Sequence, residues 1–186
     1  LDPAYAKSCV NFAFEKGALT SGIGIENASG FYAFPSVDRH DYPPFATGKK
    51  VKKVFLYRRI TSNGDNGDRI VARLSDGTFF YTNVYGEDSW HQVPSLVMAG
   101  DVDAVNYNYK GNDVLLMSSS FDGLYLIKDD TALVCGNAPK FTSIAVHNER
   151  VFGTVNGVNN QVWFSDDFDP ANWNVSLTEA GYINFC

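Results

Sequence analysis

The densest chemistry in the sequence lies at residues 164–173, FSDDFDPANW, where Asp166, Asp167 and Asp169 precede a tryptophan. Carboxylates this close have three uses: a metal site, half of a glycosidase acid/base pair, or the turn that closes a β-hairpin. A glycosidase pair must face its partner across a sugar, with roughly 5 to 9.5 Å between the carboxyl groups. Asp166 and Asp167 are adjacent at the end of an extended run, so they point to opposite faces and do not form such a pair. The turn has direct support. Asp169 before Pro170, with Asn172 following, is strong turn chemistry, because Asx side chains accept from nearby backbone donors and proline presets its own φ. A structural turn is the expected role, with calcium binding and catalysis as the alternatives.

A second oxygen-rich stretch, SNGDNGDR from Ser62, offers Asn63, Asp65, Asn66 and Asp68. An EF-hand loop needs ligands at alternating positions and a bidentate Glu at the twelfth, and neither is in place. A flexible hairpin loop, available for contacts, is the expected reading. His40, His91 and His147 lie in unrelated segments without a partner at metal spacing, and His147 in VHNER reads as a hairpin residue. No GxSxG, HExxH, GxxxxGK or GxGxxG pattern occurs. Cys9, Cys135 and Cys186 are odd in number and far apart, which supports neither structural zinc nor a disulfide framework and predicts reduced thiols. No metal or cofactor is expected.

The elements that position these residues repeat. Three segments, from Val54, Ala104 and Ser143, each read as four alternating strands broken by polar turns. Their second strands are RIVARL, DVLLMS and RVFGTV; their third are TFFYTNV, GLYLIKD and QVWFSDD; their short fourth are SWHQV, TALVC and NWNVS. Arg69 and Asp113 are 44 residues apart, and Asp113 and Arg150 are 37 apart, bracketing the roughly 40 to 45 residues of a propeller blade. Four short strands cannot bury both faces of their own sheet, and stacking supplies the missing contact. The predicted fold is all-β and propeller-like: about three four-stranded antiparallel blades, near 51–94, 102–136 and 141–180, forming an incomplete ring. A further strand begins at 181–186. Trp90 and Trp173, at matching places in their blades, are expected in the inter-blade core; surface stacking on sugars is the alternative.

Residues 1–50 read as an N-terminal strand arm, with a hairpin over CVNFAFEKGALTSGIGIEN turning at Lys16 and Gly17, then a strand over GFYAFPS. A single helical turn near Met98 is the one helical signal. The 186 residues carry 45% hydrophobic and 15% aromatic side chains, enough apolar surface to offset chain entropy. The net charge of −6 argues against a nucleic-acid binder, which needs clustered Lys and Arg. GKKVKK from Gly48 alternates with apolar residues and reads as a solvated strand face. No apolar run reaches the length of a membrane span. The opening without Met and the end inside GYINFC give the expectation of a piece of a longer polypeptide.

Ser165, Asp167 and Trp173 resemble the sialidase-type Asp box, Ser-x-Asp-x-Gly-x-x-Trp, except that Asp169 stands where glycine belongs and the tryptophan is one place late. That box is itself a structural turn of propellers. The third repeat also resembles a pattern of tailed-bacteriophage structural proteins. Its elements here are Gly136, Pro139, His147, Arg150, Val151, Phe164, Ser165, Asp169, Pro170, Trp173, Gly181, Tyr182 and Ile183, and the opening CVNFAFEKGALTSGIGIE resembles the N-terminal arm of the same group. The resemblance covers about half the chain. It implies a non-catalytic virion part, a propeller segment of a tail hub, nozzle or head–tail connector, made in the host bacterial cytoplasm. Its partners would be other virion proteins and homo-oligomeric ring neighbours, and its acidic surface would let DNA pass without sticking. A carbohydrate-binding propeller is the alternative, and a sialidase- or glycosidase-type enzyme the third reading.

Overall fold

The computed structural model describes residues 12–15, 18–21, 49–85 and 90–185. The chain divides into two compact units, Leu1–Gly48 and Lys49–Cys186. In the first, β1 (Phe12–Glu15) and β2 (Ala18–Ser21) pair antiparallel, with Glu15 opposite Ala18; the turn expected at Lys16-Gly17 lies outside the described residues. The strand predicted over GFYAFPS lies outside the described residues.

The second unit holds three four-stranded antiparallel sheets, and no helix occurs among the described residues. Sheet 1 is β3 (Val51–Tyr57), β4 (Arg69–Leu74), β5 (Thr78–Asn83) and β6 (His91–Val97). Sheet 2 is β7 (Asp103–Tyr109), β8 (Asn112–Ser119), β9 (Gly123–Lys128) and β10 (Thr131–Val134). Sheet 3 is β11 (Phe141–His147), β12 (Arg150–Val155), β13 (Gln161–Phe164) and β14 (Gly181–Asn184). Each is a meander in which sequence neighbours pair. Residues 98–101, where a helical turn was predicted, are irregular.

The turns explain the registers. Lys110-Gly111 and Asn148-Glu149 form two-residue loops with positive φ at both positions, a geometry whose twist matches the flanking strands. The edge strand β6 accommodates Pro94, which has no N–H to give. Beside it the pairing with β5 shifts between Thr78 and Phe80.

The third sheet departs from the order expected of its sequence. The fourth strand of the third sheet is β14, pairing Phe164 with Gly181 and Trp163 with Tyr182, whereas NWNVS at 172–176 is not a strand. Side-chain turns win over extension there: Asn174 N donates to Asn172 Oδ1 (3.2 Å), Ser176 N to Asn174 Oδ1 (3.1 Å), and Thr178 Oγ1 to Asn174 O (2.8 Å). The stretch from Gly181 therefore completes the third sheet instead of opening a further one.

The sheets stack in chain order. Sheet 2 is apolar on both faces: Leu115, Met117 and Ile127 join Tyr57, Val71, Phe79, Val93 and Leu96 of sheet 1 in one core. Val114, Leu116, Leu124 and Leu126 join Phe141, Ile144, Val151 and Trp173 in the other. This is why VLLM and LYLI read as continuous apolar runs and not as alternation. Gly153 faces the Phe141 ring so closely that a Cβ would lie 2.5 Å from it, so only glycine admits the ring there. Like strands adjoin like: β7 lies beside β11, and β6 beside β10. Asn106 of β7 donates to Leu56 O of β3 (2.9 Å) and accepts from Arg58 N (2.8 Å).

Candidate functional site

The 164–180 segment is built from the strand end outward. Ser165, fully buried, follows β13; its N–H donates to Val151 O (2.9 Å), its Oγ accepts from Val151 N (3.0 Å), and that hydroxyl donates to Asp166 O (2.9 Å). Asp166, not Asp167, organises the turn. Its carboxylate accepts from Asp167 N (3.0 Å), Glu179 N (3.2 Å) and Asn172 Nδ2 (3.4 Å). Asp169 Oδ1 accepts from Ala171 N (3.1 Å), Pro170 is buried, and Pro170 O accepts from the Trp173 indole (2.9 Å). The Trp173 ring packs on Phe141 at 4.6 Å between centroids, inside the core between sheets 2 and 3. Arg150 clamps the segment from β12, donating to Ser165 O (3.0 Å), Glu179 O (3.2 Å) and the Glu179 carboxylate (2.6 Å), with Asp167 at 3.8 Å. Two of the three carboxylates are thus occupied by backbone donors, and the third lies exposed beside an arginine.

The loop between β3 and β4 is equally self-contained. Asp68 Oδ1 accepts from Arg59 N (2.9 Å), Asn66 Oδ1 from Asp68 N (2.9 Å), and Asp65 exchanges bonds with Thr61. Asn63 is exposed at the tip. The Asp68 and Asn66 side-chain oxygens thus serve the loop's own backbone, and no cluster of metal-ligating side chains occurs among the described residues. The loop meets sheet 2 where Ile60 N donates to Asp113 Oδ2 (2.9 Å), beside an open cleft lined in part by Arg59, Asn112 and Asp113.

The sequence left a feature unread: the polar seams between sheets. Tyr57 at the end of β3 donates to Asp113 O (2.7 Å) in sheet 2, and Tyr107 of β7 donates to Glu149 O (2.7 Å) in sheet 3. Both hydroxyls therefore tie a first strand to the first hairpin of the next sheet. Burial, reinforced by Glu149, Asp167 and Asp169, pushes Tyr107 up to about 12, so it remains a donor. Arg69 lies 4.1 Å over the Tyr81 ring and donates to Asp129 O and Asp130 Oδ1 (both 2.8 Å), and Arg59 pairs with Asp129. Burial works against the Asp130 charge, but hydrogen bonds from Tyr81 and Arg69 prevail and hold its carboxyl below the ordinary range. A tyrosine at or near the end of the first strand in two copies, Tyr57 and Tyr107, and Asp129-Asp130 in a turn were the available signals.

Of the remaining predicted residues, Trp90 is buried just ahead of β6. His147 is exposed at the β11–β12 hairpin, opposite Arg150, with its ring 6.4 Å from Phe152. Ser165, Asp167, Asp169, Pro170, Trp173 and Arg150 come together, with His147 at their edge as the strand partner of Arg150; Trp90 and the 63–68 loop lie in sheet 1. Cys135 is buried, which raises its thiol to about 12. No helix among the described residues is long and apolar enough to cross a membrane. No protein-family profile matches the chain, and no curated protein or solved structure does.

Proposed function

We propose that the chain is a non-catalytic structural segment of a tailed-phage particle, a run of propeller blades in a tail hub, nozzle or head–tail connector. The observation that carries the reading is the stacking of the three sheets, first strand beside first strand throughout and fourth beside fourth between sheets 1 and 2, an order that fits blades around a common axis. Three sheets fall short of the roughly four to eight that close a ring; further blades, from the same polypeptide, symmetric neighbours or other virion proteins, would complete it. The phage setting rests on the resemblance of the third repeat and the N-terminal arm.

The polar chemistry fits a building part. Asp166, Asp169, Arg150, Arg69 and Asp130 are engaged in turns and seams, positions that hold the fold together. The lectin alternative has less behind it, because Trp90 and Trp173 are buried and present no ring face to a sugar. A DNA-repelling channel does not follow from net charge: the first strands, which would line an axis, carry Lys52 and Lys53 on β3 against Asp103 on β7 and no carboxylate on β11.

Mass spectrometry of purified particles is expected to find peptides of this chain at a fixed copy number. Their absence from particles, with the protein present in the lysate, overturns the reading.

A further inference from the structure

Asn-Gly and Asp-Gly pairs rearrange without an enzyme when the chain lets them: the glycine nitrogen attacks the preceding side-chain carbonyl carbon and closes a succinimide, and glycine has no Cβ to shield that nitrogen. The chain has Asn-Gly at Asn63, Asn66 and Asn156, and Asp-Gly at Asp76 and Asp122. Ring closure needs a side chain free to swing onto the backbone and a glycine N–H not committed to an acceptor. At every pair but one the fold withholds one of these or both. Gly64 N donates to Thr61 O and Gly67 N to Arg59 O (both 2.9 Å), and the Asn66 side chain is held by Asp68 N (2.9 Å). Gly77 N donates to Leu74 O (3.0 Å), and the Asp76 carboxylate is held by the Thr78 hydroxyl (2.7 Å) and Lys49 (2.6 Å). The Asp122 carboxylate accepts from Ala99 N (3.1 Å), Gly100 N (2.9 Å) and the Ser119 hydroxyl (2.9 Å).

Asn156-Gly157 is the pair left open. It lies in the loop from β12 to β13, in a turn where Val158 N donates to Val155 O (3.1 Å) and Gly157 takes a φ of 78°, a left-handed position that favours glycine. Both residues are exposed, and neither the Asn156 amide nor the Gly157 N–H has a hydrogen-bond partner among the described residues. Where a Cβ would stand on Gly157 there is nothing within 4 Å. We infer that Asn156 is a site of spontaneous modification, converted by water to isoaspartate and aspartate. The Gly157 nitrogen bonds to Asn156 Cγ, and the side-chain NH2 leaves with the Gly157 proton as ammonia. One water then opens the succinimide: breaking the new bond to Cγ gives aspartate, and breaking the original peptide bond gives isoaspartate with a free α-carboxylate. Either product adds a negative charge to the turn, and isoaspartate also lengthens the main chain between β12 and β13 by a methylene. The site stands on the loop's hydrogen bonding and does not depend on the virion reading.

Peptide mapping of the full chain tests it, after incubation of the folded protein in mildly alkaline buffer and digestion with trypsin. The 60–69 peptide reports Asn63 and Asn66, the fragment that begins at Val151 reports Asn156, and fragmentation spectra place the amide-to-acid mass gain on its residue. Conversion at Asn156 is expected to run several times faster than at Asn63 or Asn66 and to give two product peaks, one for each way the ring opens. The same incubation in urea frees all three pairs from their hydrogen bonds, and the lead of Asn156 is expected to shrink. Asn156→Gln, whose longer side chain closes its ring far more slowly, is expected to remove the first acidic species seen on ion exchange of the intact protein. No conversion at Asn156 in the folded chain, conversion at Asn63 or Asn66 that keeps pace with it, or a lead that urea leaves unchanged overturns the inference. None of these results bears on whether the chain occurs in particles, which the particle peptides read separately.

Discussion

At the scale of single residues, the lesson of FSDDFDPANW is which oxygen does what. Ser165 is fully buried with its hydroxyl both accepting and donating, so Ser165→Ala strands the Val151 N–H and is expected to cost about 1–3 kcal/mol. Asp166→Ala, which removes the acceptor for three donors, falls in the same range, whereas Asp167→Ala at an exposed position is expected within about 0.5 kcal/mol of wild type. Urea unfolding midpoints measure all three; an Asp167 variant as damaging as the Asp166 one would reverse the assignment. The sequence made the segment legible as a turn, because Asp-Pro and Asn punctuate it, yet it pointed to Asp167 through spacing. The choice between adjacent carboxylates depends on where Ser165 tucks under β12, and that is a tertiary fact.

At the scale of elements, alternation and turn residues made the strands readable, and the two-residue hairpins at Lys110-Gly111 and Asn148-Glu149 carried their own signals. The misplaced fourth strand of sheet 3 has a physical cause: NWNVS alternates like a strand, but its asparagines bond locally, and the strand expected from Gly181 takes the fourth place instead. There a Cβ would lie 2.8 Å from the Phe164 ring, so glycine lets β14 pair where another residue would collide. The seams between sheets had no periodicity to betray them. Their electrostatics give a pH signature. Asp130 is held below the ordinary carboxyl range, so its contribution is complete above about pH 4 and is lost as pH falls toward the lowered folded value. Asp130→Asn is therefore expected to lower the melting temperature at pH 7, with the gap from wild type closing as the pH drops through 4 to 3. Thermal melts across that range measure it; a gap that widens on acidification contradicts the seam.

At the scale of the whole molecule, the middle sheet shares one core with sheet 1 and another with sheet 3, so the described stack has no independent half. Phe141→Ala, which empties a fully buried ring site against Trp173 and Gly153, is expected to cost about 3–5 kcal/mol. Because the loss reaches sheet 1 through sheet 2, unfolding is expected to stay a single transition, with hydrogen-exchange protection falling in all three sheets; slowed exchange confined to sheet 1 would show that the sheets melt separately. The same arrangement has a consequence during synthesis. When β10 leaves the ribosome, Leu116, Leu124 and Leu126 have no cover, since the sheet that shields them is complete only at Asn184. At 5–20 residues per second the remaining fifty or so residues take roughly 3–10 s, and for that interval the nascent chain carries a bare, leucine-rich surface suited to a holding chaperone.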